Sequence, residues 1–309
     1  MNNKAKTMTI AIALALILSA SPPVSASAAT DHSATVHVDE YHNGIKMVRE
    51  KRLSYVGNRN VWNYQRFDVT VRGAKLNISG ITINNVDYIP FRAAANALGI
   101  KYTYDSKNKT SLMQGQGIVL SATDGCFSVY ANDRPLFASS PVVIMSDGRM
   151  YIPAASFAKA TGLTVSKNGK NISLSGSFKA LAPASKFYDN DAVLWLARII
   201  HAESSGEPLL GKIAVGNVVL NRVKHPSYPN TIYGVIFDRK YGVQFSPVLY
   251  GTIYNTPSYE STLAAKICLE GFDASEGALF FLHPEISSSS WIPQSRKYLY
   301  SIGSHDFYA

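Results

Sequence analysis

From Ile10 to Leu18 every position is apolar; Lys4 and Lys6 precede the run, and small residues follow it down to Ala26-Ser27-Ala28. A run this short falls well below the ~20 residues that cross a bilayer, and its charged start and small-residue end have the form of an export signal cut before Ala29. A retained signal anchor is the competing reading. Residues 1–28 are read as a signal peptide and 29–66 as a lead-in segment, rich in aromatic and basic residues but without a clear period.

Two later stretches repeat one pattern at an offset of 63 positions. Tyr88-Ile89-Pro90, an alanine-rich run and Gly99 recur as Tyr151-Ile152-Pro153, a second such run and Gly162. Each copy predicts a strand, a turn, a short strand ending at proline, a helix of about two turns, and then a strand pair. Pro90 and Pro153 suit a helix start, where a missing N–H costs nothing, and Gly99 and Gly162 suit its end. Similarity at a fixed period marks a duplicated supersecondary unit, placed at residues 67–176. Ser175 to Ser185 is small, polar and proline-bearing, so a linker is set at 177–187 and a second domain at 188–309.

The spacing then becomes helical. Leu196, Ile199, Ile200 and Glu203 occupy one face at i, i+3, i+4 and i+7, after a start at Asp189-Asn190-Asp191 suited to capping. Glu203 continues an apolar stripe and sits in the last turn before Ser204-Ser205-Gly206. Desolvation and the negative end of the helix dipole both disfavour its anion there, and a carboxyl kept neutral near pH 7 is what a general acid requires. A stray glutamate at a frayed helix end fits the same position. Glu207, before Pro208, reads as structural. A helix through Ile213–Val223 is apolar nearly all round and hence buried. Glu260 and Glu270, at the two ends of a third helix, read as surface charges.

Composition narrows the chemistry. Hydrophobic residues make up 46% and charged residues 17%, enough to bury real cores. Two cysteines, Cys126 and Cys268, exclude a disulfide scaffold and a structural zinc module and read as two buried thiols. The net charge of +9 is uneven: residues 1–188 carry 21 Lys+Arg against 10 Asp+Glu, and residues 189–309 carry 9 against 11. For an exported chain this favours anionic wall polymers or a membrane surface over nucleic acid as the partner of the basic half, although scattered charges also fit a generic basic surface. His32, His37 and His42 fall every five residues, a step that shares neither a helix face nor a strand face, and give no metal site. No cofactor motif is present.

The duplicated stretch resembles the copper amine oxidase N-terminal-like domain, a module repeated in exported proteins of Gram-positive bacteria. It contains no Asn-Tyr-Asp/Glu sequence for a tyrosine-derived quinone and no His-x-His pair for copper, so binding or spacing is expected of it. The blocks Ala197–Pro208, Gly211–Val223, Pro229–Ile236, Gln244–Val248, Gly277–Phe281, Trp291-Ile292 and Ile302–Tyr308 resemble the SleB-like spore cortex-lytic and cell wall hydrolase family. The resemblance implies a lysozyme-like, mostly helical domain that cuts peptidoglycan between N-acetylmuramic acid and N-acetylglucosamine. It maps the catalytic glutamate onto Glu203 and, more loosely, groove residues onto Gln244, Phe245 and Ser246. Ser204 departs from the pattern, standing where a small apolar residue is usual, and Asp238–Val243 is longer than the usual turn.

The expected fold class is therefore α+β: a duplicated mixed α/β module, then the helical catalytic domain. Aromatics cluster in the second half, and Trp291, Phe281 and Tyr308 are taken as sugar-stacking candidates, Trp291 foremost because Ser287–Ser290 reads as an exposed loop. Glycosidases normally use two carboxylates, yet no second carboxylate is placed as anomalously as Glu203. A lytic transglycosylase removes that need, because the C6 hydroxyl of muramic acid supplies the nucleophile and closes a 1,6-anhydro ring. A water-using muramidase and a non-catalytic glycan-binding protein are the alternatives, and a metal-dependent amidase is a weaker one. The expected product is a secreted monomer without a cofactor, acting on the wall or spore cortex of a Gram-positive bacterium.

Overall fold

The structure, a computed structural model, describes residues 36–42, 45–50, 64–240, 242–287 and 291–309. The expected signal peptide, His32, most of the lead-in segment and the tip of the serine loop lie outside the described residues. Val36–His42 and Ile45–Glu50 form an antiparallel hairpin. Helices and sheets both build the remainder. No helix among the described residues is long and apolar enough to cross a membrane.

The duplication is visible as symmetry. In the first copy, strands Gly80–Ile83 and Val86–Pro90 lead into helix α1 (Phe91–Ala97); in the second, Val143–Ile144 and Met150–Pro153 lead into α2 (Ala154–Thr161). Each proline is the cap residue, one position ahead of the helix. The two proline strands pair antiparallel, with Tyr88 opposite Pro153, Ile89 opposite Ile152 and Pro90 opposite Tyr151. Equivalent residues thus exchange across a local two-fold axis at the two isoleucines, both fully buried. Gly162 ends α2 at φ 70°, and a Cβ there would lie 2.7 Å from the Lys179 carbonyl, so glycine serves both the left-handed cap and the close passage of the following chain.

The copies differ in where their strand pairs go. The pair after α1 opens a five-stranded antiparallel meander that ends at Arg134–Phe137. The pair after α2 returns to the larger sheet, where Asn171–Ser175 lies parallel to Gln65–Val71. One core, from Val69 and Phe91 to Phe157 and Leu174, fills the space between.

Residues 177–187 are pinned to the module rather than swinging free. Lys179 and Leu181 donate backbone bonds to Thr161 and Ala160 at 2.8 and 3.0 Å, and Asn132 Nδ2 donates to the Leu181 carbonyl at 2.7 Å. A short helix, α3 (Ala184–Phe187), follows. The second half then forms α4 (Asn190–Ser204), α5 (Leu209–Lys224), α6 (Ile232–Ile236), α7 (Ser246–Tyr250), α8 (Tyr259–Leu269) and α9 (Trp291–Ser295). A three-stranded sheet of Phe280–Leu282, His305–Tyr308 and Tyr298–Ile302 accompanies the helices. Helices α4, α5 and α8 cross at Gly216, where a Cβ would approach Ile200 Cδ1 and Cys268 Sγ to 2.8 Å each. Both cysteines are buried free thiols.

Glu270 corrects the expectation of a surface charge. Its side chain is 2% exposed and accepts from Arg134 Nε and Nη2 at 2.7 and 3.0 Å, from Tyr188 Oη at 2.7 Å, and pairs with Lys159 Nζ at 2.9 Å. Arg134 and Lys159 belong to the duplicated module, so a charged junction ties the module to the end of α8. Beside it, Phe137 of the meander packs edge-on against Phe272 at 4.6 Å. Sequence spacing could not reveal Glu270's burial, because its partners Tyr188, Lys159 and Arg134 lie 82, 111 and 136 positions away.

Candidate active site

Helix α4 carries Glu203 because its start and end are both fixed. Asp189 caps it by accepting from the Ala192 N–H at 2.9 Å, and the turn after Ser204 is held from three sides. Ser204 is buried and donates its hydroxyl to the Ile200 carbonyl at 2.6 Å, which satisfies the polar group that departs from the family pattern. Lys212, 2% exposed on α5, donates to the Glu207 carbonyl and lies 3.2 Å from Glu260 Oε2. Glu207 Oε2 accepts from the Ser304 N–H at 2.9 Å, and its other oxygen lies 3.7 Å from His305 Nδ1. The structural reading of Glu207 fits these contacts, whereas Glu260 has a buried lysine to balance.

Glu203 itself is half-buried, and among the described residues it has neither a hydrogen bond nor an ion pair. Burial pushes its carboxyl up to about 7, and only the nearby charge of Arg222 pulls the other way. It neither points freely into bulk solvent nor locks onto a permanent cationic partner. A protonated carboxylic acid near neutral pH, unencumbered by a partner, can donate a proton to an incoming acceptor.

Arg222 is the functional candidate that sequence reasoning missed. It lies on α5, 6% exposed, with its guanidinium over the rings of Tyr228, Phe245 and Phe280 at 5.2, 5.2 and 5.4 Å. The available signal was a lone arginine in a helix apolar nearly all round. Asp238, just after α6, adds a charge felt by Arg222.

The predicted sugar-binding residues divide into groups. Phe245 is buried in the helical core under Arg222, making it part of the floor and not an open stacking face. Gln244, partly exposed, donates to the Gly242 carbonyl at 3.2 Å, and Ser246 opens α7 exposed. Trp291 is 53% exposed and packs on Phe280 at 5.8 Å, with Arg296 over its ring at 5.0 Å. Tyr308 stands opposite Phe280 in the small sheet and is 5% exposed, so it supports the cluster from behind. Phe281 points to the other side, against His305 and Phe307 at 5.4 and 6.1 Å, apart from the Phe280–Trp291 group. Among the described residues no cluster of three His, Cys, Asp or Glu could hold a metal ion.

This helical half has known counterparts. Residues 206–308 match the family described as cell wall hydrolase, and residues 69–175 match the copper amine oxidase N-terminal domain. The C-terminal domain belongs to the cell wall hydrolase family. The spore cortex-lytic enzyme of Bacillus cereus is 38% identical over 123 residues, which are 39% of this chain and 45% of that protein. The spore cortex-lytic enzyme of Halalkalibacterium halodurans is 37% identical over 129 residues, 42% of this chain and 38% of that one. The chain thus spans less than half the length of these curated relatives. The solved catalytic domain of the germination-specific lytic transglycosylase SleB from Bacillus anthracis is 36% identical; the match covers 41% of this chain and all of that one, with a TM-score of 0.37. The matched cell wall hydrolase span begins three residues beyond Glu203.

Proposed function

We propose that this protein degrades peptidoglycan as a lytic transglycosylase, cutting between N-acetylmuramic acid and N-acetylglucosamine within a lysozyme-like domain at residues 188–309. The observation that carries this reading is the partnerless, desolvated carboxyl of Glu203, raised to about 7 at the end of α4. Glu203 protonates the glycosidic oxygen, the bond to muramic acid C1 breaks, and positive charge develops on that sugar. The C6 hydroxyl of the same sugar then bonds to C1 while its proton passes to Glu203, which regenerates the acid and leaves a 1,6-anhydro end. No water is consumed, and one carboxyl serves both proton transfers.

Trp291 offers a stacking face for a sugar ring, and Gln244 and Ser246 offer polar contacts near the floor made by Phe245. Phe281 and Tyr308 act as supports. The duplicated module at 67–176 binds anionic wall polymers or sets spacing; the first 28 residues direct export; and the protein works as a monomer outside the cell membrane of a Gram-positive bacterium, on cortex or wall.

Mass spectrometry of peptidoglycan digests tests the reaction. Muropeptides with anhydro ends, lost in Glu203→Gln, support it. Reducing ends, heavier by one water, would replace it with a muramidase, and wall binding without new muropeptides would leave a glycan-binding protein.

A further inference from the structure

Arg222 occupies a place where an apolar side chain is expected, since α5 is buried along most of its length. Its Nε donates to the Leu279 carbonyl at 2.8 Å, and three aromatic rings surround the guanidinium. Its Nη1 is buried and has no hydrogen-bond partner among the described residues. A buried charged donor without an acceptor is costly, and such an arrangement persists where a partner is needed at another stage. The charges that act on it are those of Glu203 on α4, Asp238 after α6 and Tyr228 after α5, while Arg296 shares the Phe280 ring at 4.5 Å. Neither carboxylate closes an ion pair with Arg222 among the described residues.

Geometry brings α4 and α5 together at Ile200 and Gly216. Glu203 lies three residues beyond that crossing, ~4.5 Å along the helix axis. Because the short turn 205–208 makes α4 and α5 antiparallel neighbours, Arg222 lies six residues, ~9 Å, beyond it in the opposite direction, and both side chains lean toward their helix N-termini, back toward the crossing. A carboxyl in an apolar pocket keeps its proton, but for the same reason it releases it reluctantly. A fixed cation nearby stabilises only the charged form, so its influence is greatest when the proton leaves.

We propose that Arg222 is the positioning residue of the acid: it holds a fixed positive charge for the carboxylate that Glu203 becomes when its proton passes to the glycosidic oxygen, with the unpartnered Nη1 as the donor for that anion. Arg222 keeps its own proton throughout, and the only charge that moves is the proton from Glu203 to the leaving oxygen and the one returned from the C6 hydroxyl. The inference rests on Glu203 being the acid. It adds that the two side chains form one device, with the rings of Tyr228, Phe245 and Phe280 and the Leu279 carbonyl holding the guanidinium in place.

The test titrates the Glu203 carboxyl directly, by carbon-13 NMR of the glutamate-labelled full chain, with Glu203→Gln identifying the signal. In Arg222→Met the midpoint should rise by about one pH unit or more, and in Arg222→Lys it should return most of the way. On peptidoglycan, kcat of Arg222→Met should fall at least about tenfold with KM little changed. Should Arg222→Met not fold, Arg222→Gln, which still donates to the Leu279 carbonyl, takes its place. An unmoved midpoint in a folded variant that still cuts glycan overturns the inference. A raised midpoint in a chain that cuts nothing keeps the pairing and refutes the glycan reading instead.

Discussion

Replacing Glu203 with glutamine should make the protein more stable and, on the proposed mechanism, inactive, and the stability gain should depend on pH. The folded carboxyl titrates at about 7, against 4.5 for the free group, because burial disfavours the anion. A raised folded value means that the neutral form is the one the fold accommodates. Its contribution is whole below the unfolded value and is lost as pH climbs through the folded one. The full interval would correspond to about 3 kcal/mol; a half-open carboxylate recruits water, so about 2 kcal/mol is the expected loss above pH 8. Glutamine has no such loss. Thermal melts of Glu203→Gln should therefore coincide with wild type near pH 4 and lie roughly 4–8 °C higher at pH 8. A difference that does not vary with pH would refute the argument, since the carboxyl would then titrate as an ordinary exposed group and could not be the stored acid.

Other outcomes follow from the same contacts. Glycan cleavage by wild type should decline on the alkaline side with a midpoint near 7, read from initial rates across pH, because the ionised acid cannot donate. Arg134→Met should cost about 3–5 kcal/mol in denaturant melts by leaving Glu270 short of its bidentate partner. Burial alone would push the Glu270 carboxyl up, but the Arg134 hydrogen bonds and the Lys159 charge outweigh it and hold it below the usual range. The junction should therefore weaken as pH falls below about 4.5, seen as faster proteolysis within 177–187. Lys212→Met should lower stability by about 2–4 kcal/mol, because it removes the buried ammonium 3.2 Å from Glu260 and takes the donor from the Glu207 carbonyl. Trp291→Ala should raise KM about fivefold with kcat nearly unchanged, as measured on solubilised glycan strands.

Local rules made much of the fold legible. Proline, an alanine-rich run and glycine at a 63-residue offset predicted two helices, and the structure places α1 and α2 between those residues. The acidic cluster at Asp189 gave a helix start because its cap is built from residues three apart. The periodicity could not show that the two proline strands meet on a two-fold axis, nor that one copy's strand pair joins the meander while the other returns to the larger sheet. The meeting of the proline strands and the return to the larger sheet depend on strand partners far away in sequence. The 177–187 segment looked like a spacer for the same reason: small polar residues say nothing of the backbone bonds that Thr161 and Ala160 offer them.

At the candidate site, the sequence singled out Glu203 and passed over Arg222. Glu203 stood out because a charge on an apolar stripe contradicts the pattern around it. Arg222 contradicted its own helix just as strongly, but an arginine has a long stem that ordinarily carries its charge to water, so its place in the helix does not by itself mark a site. Only the folded chain shows the stem ending among three rings and a carbonyl. That placement bears on whether one carboxyl can suffice. An acid raised by burial alone would hold its proton too tightly to give it up readily, and a directly paired one would have lost it already. Burial opposed by a cation held short of contact lies between those limits, and on this reading a single glutamate can give a proton and take one back without a second carboxylate to share the work.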